Sequence, residues 1–370
     1  MPSHRSPSRV AVLEATRPLS RTAVALAVLA SALVLLGARS LSAQERHVLG
    51  GTSAIIWNLA GEVRIEPGTG SDVVVEVTRG GTDGRKLVVT ASGGQLIVRY
   101  PDDEVVYRGR GDNESRWGRG STTLNVRSDG TFNGQWNGGG RRTQVRTSGS
   151  GLEAHADLVV KVPRGKRVEV NLAVGAIDAR DVDADLVLDV HTASVRTVGT
   201  KGRLMIDAAS GSTRVENAEG DLEIDTSSGS TTLIGFRGSR VVIDASSGSI
   251  TARDVRAERF SVDVSSGSVT VDGLSSDDLL IDTSSGSVRV DLVKVPRRSE
   301  IDTSSGSVTV ALPGDANAEL DIDTGSGGIS TDFAVAMREF RRNEMRGKIG
   351  EGGGVLRVST SSGGVRLIKR

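Results

Sequence analysis

Cysteine is absent from the 370 residues, which excludes disulfide staples, thiolate metal sites, a cysteine nucleophile and a lipoprotein anchor. Large rings are scarce: three Trp, two Tyr and five Phe leave Val, Ile, Leu and Ala to fill a thin core. Neither charge sign dominates, with 46 basic and 46 acidic residues, so the chain is not a globally basic nucleic-acid binder. Beyond the first forty residues no long apolar run exists. Only His47, His155 and His191 lie beyond that region, too scattered for a metal triad. The sequence also lacks a Gly-x-Ser-x-Gly elbow, a phosphate loop and a dinucleotide glycine fingerprint. What the chain has in excess is glycine, 47 residues of it, arranged periodically.

Residues 1–43 read as a secretion signal, because Arg5, Arg9, Arg17 and Arg21 precede an apolar run over 22–38 that ends in small residues. Cleavage is placed after Ala43, with Ser42 as the alternative; an uncleaved membrane anchor is the competing reading of the same run. Either reading places the remainder outside the cytoplasm. Without residues 1–43 the chain loses five Arg and Glu14, leaving 41 basic against 45 acidic residues, a net charge of −4.

Internal repetition dominates the remainder of the chain. Glycines recur at Gly211, Gly229, Gly248, Gly267, Gly286, Gly306 and Gly327, and an aspartate stands four residues before each: Asp207, Asp225, Asp244, Asp263, Asp282, Asp302 and Asp323. Asp189 with Ala193-Ser194 is a weaker first copy, and the stretch ending in Gly363 is a last one. Within a unit, alternation of apolar and polar residues over 260–264 and again over 268–271 flanks the turn Ser265-Ser-Gly267, giving strand, turn, strand. One coil buries about five apolar side chains at roughly 1.5–3 kcal/mol each, too little to offset roughly 1–2 kcal/mol per ordered backbone residue. Neighbouring coils must therefore stack.

The expected fold is all-β: a single-stranded parallel β-solenoid, or β-helix, with coils of about 19 residues and right-handed winding. Residues 44–100 supply short strands that start and cap it, 101–150 form a Gly/Arg-rich insert, 151–332 carry the repeats, and 333–370 hold a further insert and a closing coil. Residues 334–345 are expected to form a short helix.

The aspartate column invites three readings. Asp323-Thr-Gly-Ser matches the short motif of aspartic proteases, but such a site needs two carboxylates from two lobes sharing one proton. Columns of Asp and Ser oxygens also suit calcium, a hard cation. The favoured reading is structural: each carboxylate accepts hydrogen bonds from the following Ser-Ser turn, worth about 1.5–3 kcal/mol each against roughly 1 kcal/mol of repulsion between stacked neighbours.

Candidate ligand contacts concentrate in the insert. Eight arginines between 108 and 146 face only three acids, a local charge of +5. Arg108, Arg110, Arg119, Arg141 and Arg142, with Trp117 and Trp136, combine cations with planar faces, and Tyr107 and Phe132 lie among them. Such a surface suits an anionic polysaccharide or another cell-surface component rather than a specific nucleic acid. A solvated, mobile loop explains the same composition.

Four features together, Asn58-Leu-Ala-Gly61-Glu-Val63-Arg-Ile65, Val162-Pro163-Arg-Gly165, the Asp-x-Ser-Ser-Gly-Ser ladder and the closing 347–365 stretch, resemble the bacterial putative adhesin family. That family is a secreted β-strand-repeat domain of unknown biochemical function. The resemblance covers about 48–370 and implies an envelope-exposed solenoid. It supplies no catalytic residues and no cofactor. The expected function is thus a non-enzymatic extracytoplasmic scaffold or adhesion module. The alternative is a polysaccharide lyase or hydrolase, whose expected mark is a cluster of acidic residues in one groove.

Overall fold

Alternation with period two turns every second side chain inward, and stacking places equivalent residues in columns. One column runs Leu188, Ile206, Ile224, Ile243, Val262, Ile281 and Ile301. All seven are buried in the computed structural model, which describes residues 44–109, 121–132 and 140–370. A second column on the opposite wall, Val215, Leu233, Ala252, Val271, Val290 and Val310, closes the core. The described chain is all-β apart from one short 3-10 turn at Gly84–Lys86. Its central strands pair in parallel, in a β-solenoid-like stack, and antiparallel pairs occur at both ends. The unit from Gln44 to Arg370 is continuous by its internal contacts.

Glycine recurs where consecutive turns stack on one another, with Ala193 in the first repeat coil. At Gly267 φ is +148°, and a Cβ there would lie 2.0 Å from the carbonyl oxygen of Gly248. The same relation links Gly248 to Gly229 and Gly229 to Gly211, at 1.8 and 1.9 Å. Turn serines reinforce the stack from outside: the Ser228 hydroxyl donates to the Ala209 carbonyl at 3.3 Å and the Ser247 hydroxyl to that of Ser227 at 3.1 Å.

At the N-terminal end, strand Ser53–Pro67 lies along Arg167–Arg180 in parallel register. Its other edge is shared by Gln95–Arg99 and His155–Val162. Antiparallel strands then cover that end: Val73–Gly80 on His155–Val162, Glu45–Leu49 on Val73–Gly80, and Val88–Ser92 on Gln95–Arg99. Asn58 is the buried polar anchor here. Its amide donates to the Ala156 carbonyl at 2.7 Å, while the Tyr100 hydroxyl donates at 2.9 Å to the Asn58 side-chain oxygen.

The C-terminal end departs from expectation twice. Residues 334–345 form no helix; Val335–Arg341 and Glu344–Ile349 make an antiparallel hairpin, and the second strand also pairs with Ala318–Thr324. Pairing satisfies the backbone of an otherwise open edge, which a helix there would leave exposed. Met345 and Ile349 alternate into the core beside it. The coils also do not stack in chain order. The last one, Gly354–Thr360 followed by Val365–Lys369, sits between the two coils that precede it in sequence. Gly354–Thr360 pairs with Arg298–Ser305 on one edge and Ala318–Thr324 on the other.

Candidate functional site

The insert folds as a small sheet of its own, built from Glu104–Val106, Ser121–Val126, Arg141–Arg146 and Leu152–Glu153. Of the seven candidate ligand contacts, Arg110, Trp117, Arg119 and Trp136 lie outside the described residues. Arg108, Arg141 and Arg142 are exposed. Arg108 pairs with Glu153 at 3.3 Å and Arg141 with Asp103 at 2.9 Å, while Arg142 stands opposite Asn125 on the neighbouring strand. The expectation that Tyr107 and Phe132 offer stacking faces is wrong: both are buried. Tyr107 packs its ring 5.3 Å from that of His155, and Phe132 lies 6.3 Å from the ring of His191. Apolar side chains on the sheet's inner face gain more from burial than from display, so they join the insert to the core. His191 is half-buried, and burial pulls its pKa below the ordinary value while Asp207 partly opposes that.

Nor, among the described residues, do Asp207, Asp225, Asp244, Asp263 and Asp282 receive the turn bonds expected of them. The Ser210, Ser228 and Ser247 hydroxyls donate instead to carbonyls of the preceding coil, and Asp207, Asp225, Asp244, Asp263 and Asp282 point outward in one exposed column. Burial and then the Asp225 carboxylate raise the pKa of Asp207; burial and then Asp263 and Asp225 raise that of Asp244. Asp302 is raised by burial, then by Glu300 and Asp282. The column is a ladder of like charges set in line by the strand register.

The sequence reading missed a groove of about 730 Å³ across the outer wall near the N-terminal end. It gathers outward side chains of strands that are remote in sequence: Glu62 and Arg64, Asp157, Asp178 and Arg180, Arg196 and Arg214. Ala176, Ser194 and Ser212 line it as well, small residues that leave room between the charged side chains. Two arginines share one carboxylate, Arg196 and Arg214 each reaching Glu216 at 2.7 Å, which holds Glu216 below its ordinary pKa. Arg180 grips Asp178 with two of its nitrogens, Nε and Nη2, at 2.9 and 2.7 Å. Asp157 accepts from the Glu62 backbone N–H at 3.0 Å. The one signal in the sequence was that Arg196 and Arg214 occupy equivalent positions of successive coils.

A smaller groove of about 340 Å³ on the other wall places Arg240, Arg259 and Arg298 beside Val242 and Leu280. Arg240 and Arg259 are direct neighbours across adjacent strands. The carboxylate nearest Arg259 is Asp278, at 3.9 Å.

Among the described residues, no helix is long and apolar enough to cross a membrane, and no group of three or more His, Asp or Glu is placed to hold a metal ion. The profile of the family described as Toastrack DUF4097 matches residues 56–367. No protein with a curated description matches this chain. A solved structure described as a "putative cell adhesion protein" from Clostridium sporogenes aligns over 88% of this chain and 100% of its own, at 6% identity and a TM-score of 0.20.

Proposed function

The chain belongs to the Toastrack DUF4097 family, and from that premise we propose that it is a non-enzymatic extracytoplasmic binding or scaffold module of the cell envelope. In this reading it is a right-handed β-solenoid with coils of about 19 residues that docks an anionic polysaccharide or another surface component bearing carboxylates, sulfates or phosphates. The observation that carries the reading is the gathering of guanidinium groups on the outer walls. Arg64, Arg180, Arg196 and Arg214 line one groove, Arg240, Arg259 and Arg298 another, and Arg108, Arg141 and Arg142 stand on the insert sheet. Arginine presents a planar fork that matches such anions, and strands about 4.8 Å apart set two pairs of forks side by side, Arg196 with Arg214 and Arg240 with Arg259. Exposed ion pairs such as Arg108 with Glu153 contribute about 0–1 kcal/mol, so a polymer anion can displace the carboxylate at little cost.

Arg108, Arg110, Trp117, Arg119, Trp136, Arg141 and Arg142 form the proposed recognition surface. Because Tyr107 and Phe132 belong to the core, the test uses point substitutions rather than removal of the insert. Replacing Arg108, Arg141 and Arg142 together by Ser is expected to weaken retention on immobilised alginate at least tenfold while leaving the circular dichroism unchanged. Retention equal to that of the parent chain would take these residues out of the binding surface.

One observation favours the second reading, a polysaccharide-active enzyme: Glu62, Asp157 and Asp178 lie together in the larger groove, which is the clustering expected of such a site. A turnover assay on a panel of polysaccharides separates the two. Release of shorter chains, abolished by Asp157→Asn, would replace the binding reading with the enzymatic one.

A further inference from the structure

Strand Gly354–Thr360 enters a slot whose two walls precede it in sequence. On one side Val358 registers with Ile301, on the other with Ile322, and all three are buried. The following strand repeats the arrangement, with Val365 between Val308 and Ile329. Backbone N–H groups seal both edges: that of Val308 donates to Gly364 at 2.9 Å, and that of Val365 to Gly328 at 3.0 Å. Until residues 354–370 arrive, Arg298–Ser305 and Ala318–Thr324 each keep an unpaired parallel edge facing a gap one strand wide. An open edge of this kind is a template for any chain of matching sequence.

The connection into the slot is short and glycine-rich. Ile349 and Gly354 both register with Ala318, from opposite edges, so residues 350–353 step across the end of that strand. Gly350 and Gly352 take positive φ angles of +57° and +84°. The crossing spans about 9.6 Å, twice the strand spacing, plus the arc around the strand end. A segment on a short hinge, whose contacts are reproduced in full by an identical segment from elsewhere, meets the conditions for exchange between copies.

We propose that this end of the molecule is a self-assembly site: residues 354–370 of one copy fill the slot of a second copy, and reciprocal exchange yields a closed dimer. The occupant is a second copy of this chain because the slot's walls read Leu356, Val358, Val365 and Leu367 by column identity, a match no unrelated segment is selected to make. Contacts within the slot are the same in monomer and dimer, so protein concentration and hinge length set the balance.

Natural absence of cysteine makes the test direct. Thr309 and Arg366 face each other across adjacent strands on the outer wall. Two single variants of residues 44–370, Thr309→Cys and Arg366→Cys, are unfolded, mixed and refolded from micromolar to near-millimolar concentration, then treated with a short bis-maleimide. A crosslinked heterodimer that needs both variants, with a yield rising with concentration, is expected. Absence of dimer throughout that range, or dimer that never crosslinks between the two positions, would overturn the proposal. A second variant lacking Gly352 and Gly353 leaves three steps between Ile349 and Gly354, reaching at most about 11 Å when fully extended, too short for the return path. This variant is expected to dimerise at a concentration at least tenfold lower. A monomer with unchanged melting would refute exchange, and should the shortened chain not fold, the mixed refolding decides alone.

Discussion

Substitution of Gly267 by Ala tests the stacking of turns most sharply, because the added carbon meets backbone rather than a movable side chain. The new Cβ would lie 2.0 Å from the Gly248 oxygen and 2.7 Å from its carbonyl carbon, at a φ of +148°. Relief to ordinary contact moves the two turns apart by more than about 1 Å. That movement strains the bonds from the Gly267 N–H to Ser285 and from the Gly248 N–H to Ser266, both 2.9 Å. Backbone strain of roughly 1–2 kcal/mol and one or two weakened hydrogen bonds at about 1 kcal/mol each give a loss of roughly 2–4 kcal/mol. At about 2 °C per kcal/mol for a chain of this size, melting falls by roughly 4–8 °C. Three further glycines separate the causes. Gly70 has φ +90° with nothing near its Cβ, Gly238 has no φ in the left-handed range but a Cβ 1.7 Å from the Gly220 oxygen, and Gly314 has neither burden. Thermal unfolding by circular dichroism should rank the alanine variants in stability Gly314, Gly70, then Gly238 and Gly267. A Gly267→Ala chain melting within a degree of the parent would refute the reasoning.

Asp244→Asn should raise the melting temperature at neutral pH. The folded pKa of Asp244 lies above its ordinary value, so its charged form is disfavoured in the fold; stability rises as pH falls toward the carboxylate range, and the variant's advantage vanishes there. Melting curves from pH 7 to pH 4 follow this directly, and an advantage that grows on acidification would contradict it. Tyr100→Phe removes the hydroxyl that donates to the buried Asn58 oxygen, and is expected to cost about 1–3 kcal/mol in denaturant unfolding, since Asn58 then loses a partner it cannot recover from water. Thr226→Val is expected to stabilise by about 1 kcal/mol, because the Thr226 hydroxyl is buried without a hydrogen-bond partner and valine has the same shape.

The middle of the fold was readable because repetition does the averaging. A period-two pattern seen once is ambiguous, but Ile206, Ile224 and Ile243 at equivalent positions name one buried column, and the glycines four residues after each aspartate name one stacked turn. The ends were less readable, since they are decided by which backbone edges remain open. Residues 334–345 have the Ala, Met, Arg and Glu content of a helix, yet the free edge of Ala318–Thr324 draws 344–349 into a strand. Equivalence of the coils also conceals their order, because the segment around Val358 fits beside any isoleucine of the column. The aspartates were misjudged for a related reason: local turn chemistry favoured bonds to serine, whereas the hydroxyls find carbonyls of the neighbouring coil. The larger groove needed the register of strands more than a hundred residues apart, which brings Arg64 beside Asp178.

The most direct test of the proposed role is the affinity of residues 44–370 for a polyuronate measured across a salt series, with the chain length of the polymer followed in the same samples. Guanidinium recognition on exposed walls is screened by salt, so the dissociation constant is expected to rise at least tenfold between low and high ionic strength while the polymer stays intact. Affinity that does not change with salt, or a polymer that shortens with time, would contradict it.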